Sequence, residues 1–498
     1  MARIAVIGAG MGAMAAAARL AVAGHRPVVF ERASTYGGAV GRFERDGFAF
    51  DTGPGLLHLP AVYRDLFVKT GKEPLEDLVG LTQVEPAVRH VFADGTTTDL
   101  PNARRAGVAE ALDAAVGAGA GARWSAFMNR AREAWDRSRR PLLEEPLWPN
   151  WQVLADREPY PAVVRRRLLR KDRAATTLAG IGALELGGDP RLVALLEQYA
   201  LAYGLDPRTA PASAAVLPYM EQTFGTWAVT GGLRALADAV YDRCLKRKVE
   251  FRFGSAVARV VVRDGRASGV ELADGTVEDA AFVVAGVAPR VLDGLLVGQG
   301  VRGEVPAQSE ASWPSRLTVH LALRGAAPEG TPHRTVVHGP DRDAELAWLF
   351  DDGARPPRPT VTVLRAGDPS QVPDAGHEAV TVTATVPSHA RVAEAEVESV
   401  LAAAERAVPG LRERLLWHEV RTPQDIAEAT GADGGAVPAP ALAAAQGRLL
   451  HPANGTGLAG LFAVGGWSHP GGGLPHAGMS GALVAGLIVE GPEFRGSQ

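Results

Sequence analysis

Residues 3–31 read RIAVIGAGMGAMAAAARLAVAGHRPVVFE, and the order of residue types in this stretch decides the fold. Arg3 to Ile7 is β-branched and apolar, the composition of a short strand buried on both faces. Gly8-Ala-Gly10-Met11-Gly12-Ala13 follows, and the small-residue run from Met14 to Arg19 predicts a helix. Pro27 to Phe30 predicts a second strand, which ends on an acid, Glu31. Strand, glycine turn, helix, strand and acid in about 30 residues form the dinucleotide-binding fingerprint. Gly8 permits the tight turn. Gly10 lets backbone approach a pyrophosphate at a helix N-terminus, where unpaired N–H groups and the helix dipole favour anions. Ala13, the third small residue, allows the helix to lie close to the strand. Glu31 can accept hydrogen bonds from a ribose, and its charge disfavours a 2′-phosphate there.

The rest of the composition narrows the class. The chain has 498 residues, with 52 Lys+Arg against 56 Asp+Glu, so a net charge of −4 gives no reason to expect a nucleic-acid partner. Hydrophobic residues at 46% and charged residues at 22% are ordinary for a folded globular protein. A length of this order predicts roughly three domains. The single cysteine, Cys244, excludes a disulfide framework and a multi-cysteine metal site, and fits a reducing cytoplasm. No apolar run reaches the 18 or so residues of a spanning helix. Scattered His and carboxylates show no metal-ligand spacing, so no metal is expected.

Downstream stand Gly37-Gly38 and then Asp46-Gly-Phe-Ala-Phe-Asp51-Thr-Gly53-Pro54-Gly55. This is not the pattern of a nicotinamide dehydrogenase. It resembles the FAD-containing amine oxidase superfamily, and within it the phytoene desaturase and carotenoid isomerase branch. Five blocks in the same order carry the resemblance: GFAFDTGPGLLHLPAVYRDLF (47–67), LLEQYALAYGLDPRTAPAS (195–213), FGTWAVTGGLRALADAV (224–240), TPQDIAEATGADGG (422–435) and VGGWSHPGGGLPHAGMSG (464–481). The resemblance implies an α/β fold: a discontinuous Rossmann-like, glutathione reductase-like FAD domain with an α+β substrate domain carrying a mixed sheet. It implies non-covalent FAD, since neither Cys244 nor any His lies in a recognisable attachment motif. The residues it assigns to the cofactor are Gly8, Gly10, Met11, Gly12, Ala13, Glu31, Arg32, Gly38, Arg42, Gly53, Pro54, Gly55, Val257, Gly466, Leu474, Pro475 and Met479. In the C-terminal block a second helix N-terminus would face the flavin pyrimidine. The chain departs from its relatives at Ala39, where Arg or Lys is usual, with Arg42 three residues on. It departs again at 283–289, which lacks the usual Asn and Asp, and at His58 and Trp467.

The flavin motifs fall at both ends and in the middle. Residues 1–74, 225–300 and 445–498 are therefore expected to form the FAD domain, and 75–224 and 301–444 the substrate domain. Asp264-Gly265 and Asp274-Gly275 predict hairpin turns. Thr318–Leu323, Ala347–Phe350, Thr360–Leu364 and Ala379–Val386 are expected as strands of a sheet roofing a substrate tunnel. Residues 431–447, rich in Ala, Pro and Gly, are expected to be a loop or linker. Segment 124–173 carries Trp124, Trp135, Trp148 and Trp151 among Arg123, Arg132, Arg137, Arg139 and Arg140, then the basic run from Arg165 to Arg173. Such a composition suits an interfacial helix in peripheral contact with a membrane. It equally suits a solvated basic face over tryptophans in the core.

The resemblance implies an apolar polyene or isoprenoid substrate, desaturated by hydride transfer to flavin N5. Redox-neutral cis-trans isomerisation uses the same motifs. An amine oxidase-like enzyme on a specialised metabolite is a second reading. A non-catalytic lipid-binding protein of the same fold, like the Rab GDP dissociation inhibitors, is a third, and the intact C-terminal loop argues against it. Proton transfer can use a carboxylate, a His or water. Glu221, His58, His469 and His476 are the candidates. Cys244 is expected to be packing. The sequence leaves the oligomeric state open.

Overall fold

The computed structural model describes residues 1–163, 173–297 and 313–496. The fingerprint forms as its residue types dictate: strand Arg3–Ile7, helix Met11–Val22 and strand Arg26–Phe30. They build a five-stranded, all-parallel sheet in the order Glu250–Arg252, Arg26–Phe30, Arg3–Ile7, Phe282–Ala285, Leu461–Ala463. Its strands come from three separated stretches of chain. The C-terminal helix Leu474–Glu490 packs along the glycine helix. A Cβ on Gly12 would come within 2.8 Å of the Ala477 carbonyl oxygen, and one on Gly481 within 2.6 Å of the Gly12 oxygen and 2.8 Å of the Ala15 Cβ. The run of alanines after Gly12 is thus a packing requirement, because two helix backbones meet there.

A three-stranded antiparallel sheet, Val257–Arg263, Arg266–Leu272 and Val277–Asp279, follows the predicted turns, with Asp264 at φ 51 and Gly265 at φ 72. A seven-stranded mixed sheet runs Leu415–Arg421, Ser315–Arg324, His377–Val386, Val361–Arg365, Arg334–Val337, Val88–Val91, Thr97–Leu100. Only the pair Arg334–Val337 and Val88–Val91 is parallel. Val319, Leu321, Leu323, Val380 and Val382 form one face of this sheet and bury against helix Glu394–Ala404. A small antiparallel sheet stitches the two large ones together: Leu57–His58 pairs with Thr226–Val229, which pairs with Leu81–Gln83.

Two expectations are corrected. Ala347–Phe350 is the end of helix Arg342–Phe350, not a strand. The Asp341 side chain caps this helix by accepting from the Ala344 N–H at 3.0 Å, and Leu346 and Leu349 bury at helical spacing. Four apolar residues are too few to reveal their period. Segment 431–447 is the loop of the two readings and not a linker between units. Ala436, Ala439 and Leu442 are buried, and Pro440 bridges antiparallel to Gly471. A Cβ on Gly472 would fall 1.8 Å from the Pro438 oxygen, so small residues are used because this strap threads the interior against the 470–472 turn.

The tryptophans of segment 124–173 turn inward. On helix Ala120–Arg139, Trp124 is 1% exposed and Trp135 9%, on one face with Phe127, Met128, Ala131 and Ala134. The outer face is laced by ion pairs such as Arg137–Glu133 at 3.0 Å. Trp148 and Trp151 are half-buried against Leu142, Leu154 and Leu450. The helix thus shows buried aromatics under a solvated charged face, not the exposed tryptophans of an interfacial helix. Residues 164–172 of the basic run lie outside the described residues. No described helix is long and apolar enough to cross a membrane.

Replacing Trp124 by Ala is expected to cost about 3–5 kcal/mol of stability, the range for emptying an aromatic site in a core. Thermal unfolding would show a lowered midpoint with no loss of vesicle cosedimentation. The reverse pattern would restore the interfacial reading.

Candidate active site

The first part of the site is the glycine cradle. Gly10 ends the first turn as N-cap of the glycine helix, and no side chain caps that helix. A Cβ on Gly10 would meet nothing within 4 Å, whereas one on Gly8 would touch the Gly286 oxygen at 3.0 Å. Gly8 and Gly12 are therefore packed, and Gly10 faces open space beside unpaired N–H groups. Gly465 opens the same way, and the C-terminal helix likewise starts without a side-chain cap. Two helix N-termini without side-chain caps, with open space at Gly10 and Gly465, fit an extended, anion-bearing group. Glu31 braces the loop: one carboxylate oxygen accepts from the Ala9 N–H at 2.7 Å, the other from the Ala33 N–H at 2.8 Å. Each oxygen keeps a lone pair for a ribose hydroxyl. These residues fit the adenosine and pyrophosphate of FAD.

The other residues assigned to the cofactor divide. Gly38 lies on Gly10, where a Cβ would come 3.1 Å from the Gly10 Cα. Met11 and Ala13 are buried, and a Cβ on Gly286 would meet the Ala13 Cβ at 3.0 Å. Val257 starts the strand whose preceding loop donates from the Ser255 N–H to the Glu31 carbonyl at 2.9 Å. Gly53 and Pro54 are exposed, and a Cβ on Gly55 would strike Leu364. Gly466 packs on Pro438, Pro475 opens the C-terminal helix, and Met479 packs against the insert. Arg32 points outward and donates to the Glu428 carbonyl at 2.5 Å. Arg42 pairs with Glu44 at 2.7 Å. The cation beside Gly37-Gly38 is instead Arg234, which the sequence reading missed. It lies 4.2 Å over the Tyr36 ring and donates to the Tyr36 carbonyl at 2.7 Å. Its i,i+4 partner Asp238 was the available signal.

The second part is a buried charged cluster. Arg334 donates to one Glu221 oxygen at 2.5 Å, and the other oxygen stands 3.7 Å from His58 Nε2. Side-chain exposures of 9% for Arg334, 13% for Glu221 and 19% for His58 place the group out of bulk water. Gln222 beside it donates to the Tyr199 hydroxyl at 3.0 Å. Burial pushes the Glu221 carboxyl up, but Arg334 and His58 outweigh it and hold the group below its ordinary value. Burial lowers the His58 imidazole; Glu221 opposes this and Arg334 adds to it. The cluster is thus a carboxylate, a guanidinium and a neutral imidazole at pH 7. His58 Nδ1 is buried without a partner among the described residues, and Leu59 beyond it sits at φ 48. That left-handed conformation costs a residue with a Cβ about 1–2 kcal/mol. Arg334 was invisible in the sequence: it opens strand Arg334–Val337, and the fold carries it across 113 positions to Glu221.

The C-terminal loop joins the two parts. Tyr63 donates to the Leu474 carbonyl at 2.9 Å, tying the helix after His58 to the C-terminal helix. His469 is fully buried with Nε2 3.0 Å from the Glu145 carbonyl, so it anchors the loop to the insert. Asn454, also missed, reaches the His469 carbonyl at 2.7 Å and Ser480 Oγ at 3.0 Å, and no local pattern marks it. His476 is buried on the insert side of the C-terminal helix. Cys244 is buried, with Sγ 3.3 Å from the Met14 carbonyl.

The model of the flavin containing amine oxidoreductase family matches residues 14–489. A 4,4'-diapolycopene oxygenase from Methylomonas sp is 30% identical, over 98% of this chain and 98% of that protein. A hydroxyneurosporene desaturase from Cereibacter sphaeroides is 29% identical, over 98% of this chain and 97% of its own length. Among solved structures, an oxidoreductase from Methanosarcina mazei superposes with a TM-score of 0.63 at 18% identity, covering 97% of this chain and 99% of that one, a likeness of fold. With its fingerprint and this match over nearly its whole length, the chain belongs to the flavin containing amine oxidoreductase family and is a flavin-dependent oxidoreductase.

Proposed function

We propose that the chain holds FAD non-covalently and dehydrogenates C–C bonds of a long apolar polyene or isoprenoid. The observation that carries this reading is the isolated His58–Glu221–Arg334 cluster, set where the insert meets the C-terminal helix and surrounded by buried aromatic and aliphatic side chains. The names of the two relatives, an oxygenase and a desaturase of acyclic carotenoids, support the same substrate class. In the same reading, 1–74, 225–300 and 445–498 are the FAD domain and the two inserts the substrate domain.

The residues divide the work as follows. Gly10, Met11 and Gly12 present N–H groups to the pyrophosphate. Glu31 accepts from the ribose. Leu474 and Pro475 bring the second helix end toward the pyrimidine edge. When bound, the flavin supplies the hydride acceptor. His58, neutral at pH 7, takes the proton from the adjacent carbon, so one C=C bond forms as two C–H bonds break. Glu221 stabilises the imidazolium, and Arg334 holds Glu221 charged. Apolar walls grip the chain by area, at about 25 cal/mol per Å², and exclude water from the cluster.

Five outcomes test the reading. The purified chain is expected to be yellow, and denaturation should release its FAD into solution. An acyclic carotenoid added without oxygen should bleach the flavin band, and oxygen or a quinone should restore it. Conversion without bleaching would favour the isomerase, and bleaching by a small amine alone would favour the amine oxidase. Glu31→Ala should weaken FAD binding about ten- to a hundredfold, read by fluorescence titration; unchanged affinity would remove Glu31 from the ribose. His58→Asn should slow flavin reduction about a hundredfold or more with FAD affinity unchanged. Because burial lowers the His58 pKa, the wild-type rate should rise with pH and level off below the ordinary value of 6.5. A profile indifferent to His58 would leave the proton to another group.

A further inference from the structure

The two longest strands of the mixed sheet carry a row of polar side chains that this mechanism leaves unused. In Ser315–Arg324, the residues Leu317, Val319, Leu321 and Leu323 belong to the apolar face against helix Glu394–Ala404, so Arg316, Thr318 and His320 stand on the opposite face. Their register partners on His377–Val386 are Thr385, Thr383 and Thr381. The Thr318 and Thr383 hydroxyls are 3.4 Å apart, and His320 Nδ1 is 3.2 Å from the Thr381 hydroxyl. The His320 ring lies 4.9 Å from that of Phe50 and 6.1 Å from that of Phe43, so this face is turned toward the N-terminal segment. A wall built only to grip hydrocarbon has no need of such a row.

Arg316 ends the row. Its Nη1 donates to the Ser315 carbonyl at 3.0 Å, and its Nη2 to the carbonyl of Ala202, the last residue of helix Pro190–Ala202. These two bonds to neutral oxygens fix the guanidinium and leave three of its five N–H groups. Among the described residues no carboxylate stands within ion-pair distance of it. Other arginines carried inside the protein have one: Arg334 has Glu221, Arg243 has Glu73 and Arg365 has Glu378. Burial accordingly pushes the Arg316 guanidinium down to about 10, with the Tyr203 phenol opposing the fall. An interior charge that lacks a counter-charge is costly and calls for one.

Tyr203 links Arg316 to the reaction centre. A Cβ on Gly473, at the start of the C-terminal helix, would lie 3.8 Å from the Tyr203 ring. Burial and the Glu221 charge push the Tyr203 phenol up to about 12, while Arg334 and Arg316 oppose them, so both guanidinium groups are within its electrostatic reach. Arg316, Tyr203, Glu221 and His58 are all half-buried, although burial acts on the titration of every one of them. Groups that are desolvated yet keep accessible surface line an internal space instead of filling a packed core.

We infer that Arg316 is an anion-binding residue of this space, and that it receives the carboxylate at one end of a long apolar substrate. A planar guanidinium with N–H groups to spare matches the two oxygens of a carboxylate. A neutral chain end would leave the charge uncompensated. The inference rests on the reading of a long apolar substrate and narrows it to an amphiphilic acid, a polyene or isoprenoid chain with an anionic head.

The test uses the FAD-loaded full chain and a matched pair, retinoic acid and its methyl ester, both delivered from cyclodextrin at pH 8. Binding is read by quenching of tryptophan fluorescence. The acid is expected to bind about tenfold or more tightly than the ester. Arg316→Met should bring the acid to the ester level, Arg316→Lys should keep part of the preference, and both should bind FAD as the wild type does. Equal binding of acid and ester to the wild type, which needs no variant to fold, overturns the inference. So does a preference that survives Arg316→Met. A fall in FAD affinity in Arg316→Met overturns it too, by assigning the guanidinium to the cofactor. The polyene reading fails separately, if no acyclic carotenoid bleaches the flavin, and the comparison of acid with ester is read in either case.

Discussion

Everything in this molecule depends on how closely the glycine helix and the C-terminal helix approach. Gly481 lies on Gly12, Ala15 and Ala16, where a Cβ would find atoms at 2.6–2.8 Å. That contact brings residues more than 450 positions apart in the sequence into one layer. It also sets two uncapped helix N-termini side by side. Each end carries unpaired N–H groups and about half a positive charge. An extended, anion-bearing cofactor fits such a pair of ends, and a single helix end would offer only half of the cradle. Asn454 and Ser480 serve the same geometry from the other side, by fixing the loop that leads into the second helix.

The charged cluster has the opposite character. Burying Glu221 and Arg334 in a hydrocarbon interior is expensive, and it is tolerated because the two are paired at hydrogen-bond distance. Removing one partner of such a pair typically costs about 3–5 kcal/mol, because the other charge stays buried alone. A fold needing only a packed interior would place apolar residues here. The pair makes sense as electrostatic support for His58, whose neutral form is favoured by burial while its protonated form would face a carboxylate at 3.7 Å. The left-handed backbone at Leu59 next to it is a second local cost at the same place.

Much of the fold was legible because it is written in short-range patterns. The fingerprint, the Asp-Gly turns and the long strands around Val319 and Val382 all depend on residues within a few positions of one another. The misreadings share a cause. Trp124 and Trp135 were ambiguous because aromatic and basic residues alternate on an interfacial helix and on a core helix alike; only the buried face of Ala120–Arg139 tells them apart. The strap at 431–447 looked like a linker because small residues mark both flexible chain and chain forced into close contact, and the carbonyl of Pro438 against Gly472 shows the second. Within the site, the phosphate cradle was readable, while Arg334, Arg234 and Asn454 owe their positions to long-range pairing. Of the histidines, His58 meets Glu221, His469 became an anchor, and His476 turned toward the insert, a distinction set by which way one turn of helix faces.

A structure of the FAD-loaded chain tests the central claim most directly. The account places the pyrophosphate at the N–H groups beside Gly10, the ribose at Glu31, the pyrimidine edge at the start of Leu474–Glu490, and the reactive face of the flavin toward His58 with no covalent bond to the protein. Density for the ring system on the far side of the C-terminal helix from His58, or a pyrophosphate bound away from Gly10, would contradict it.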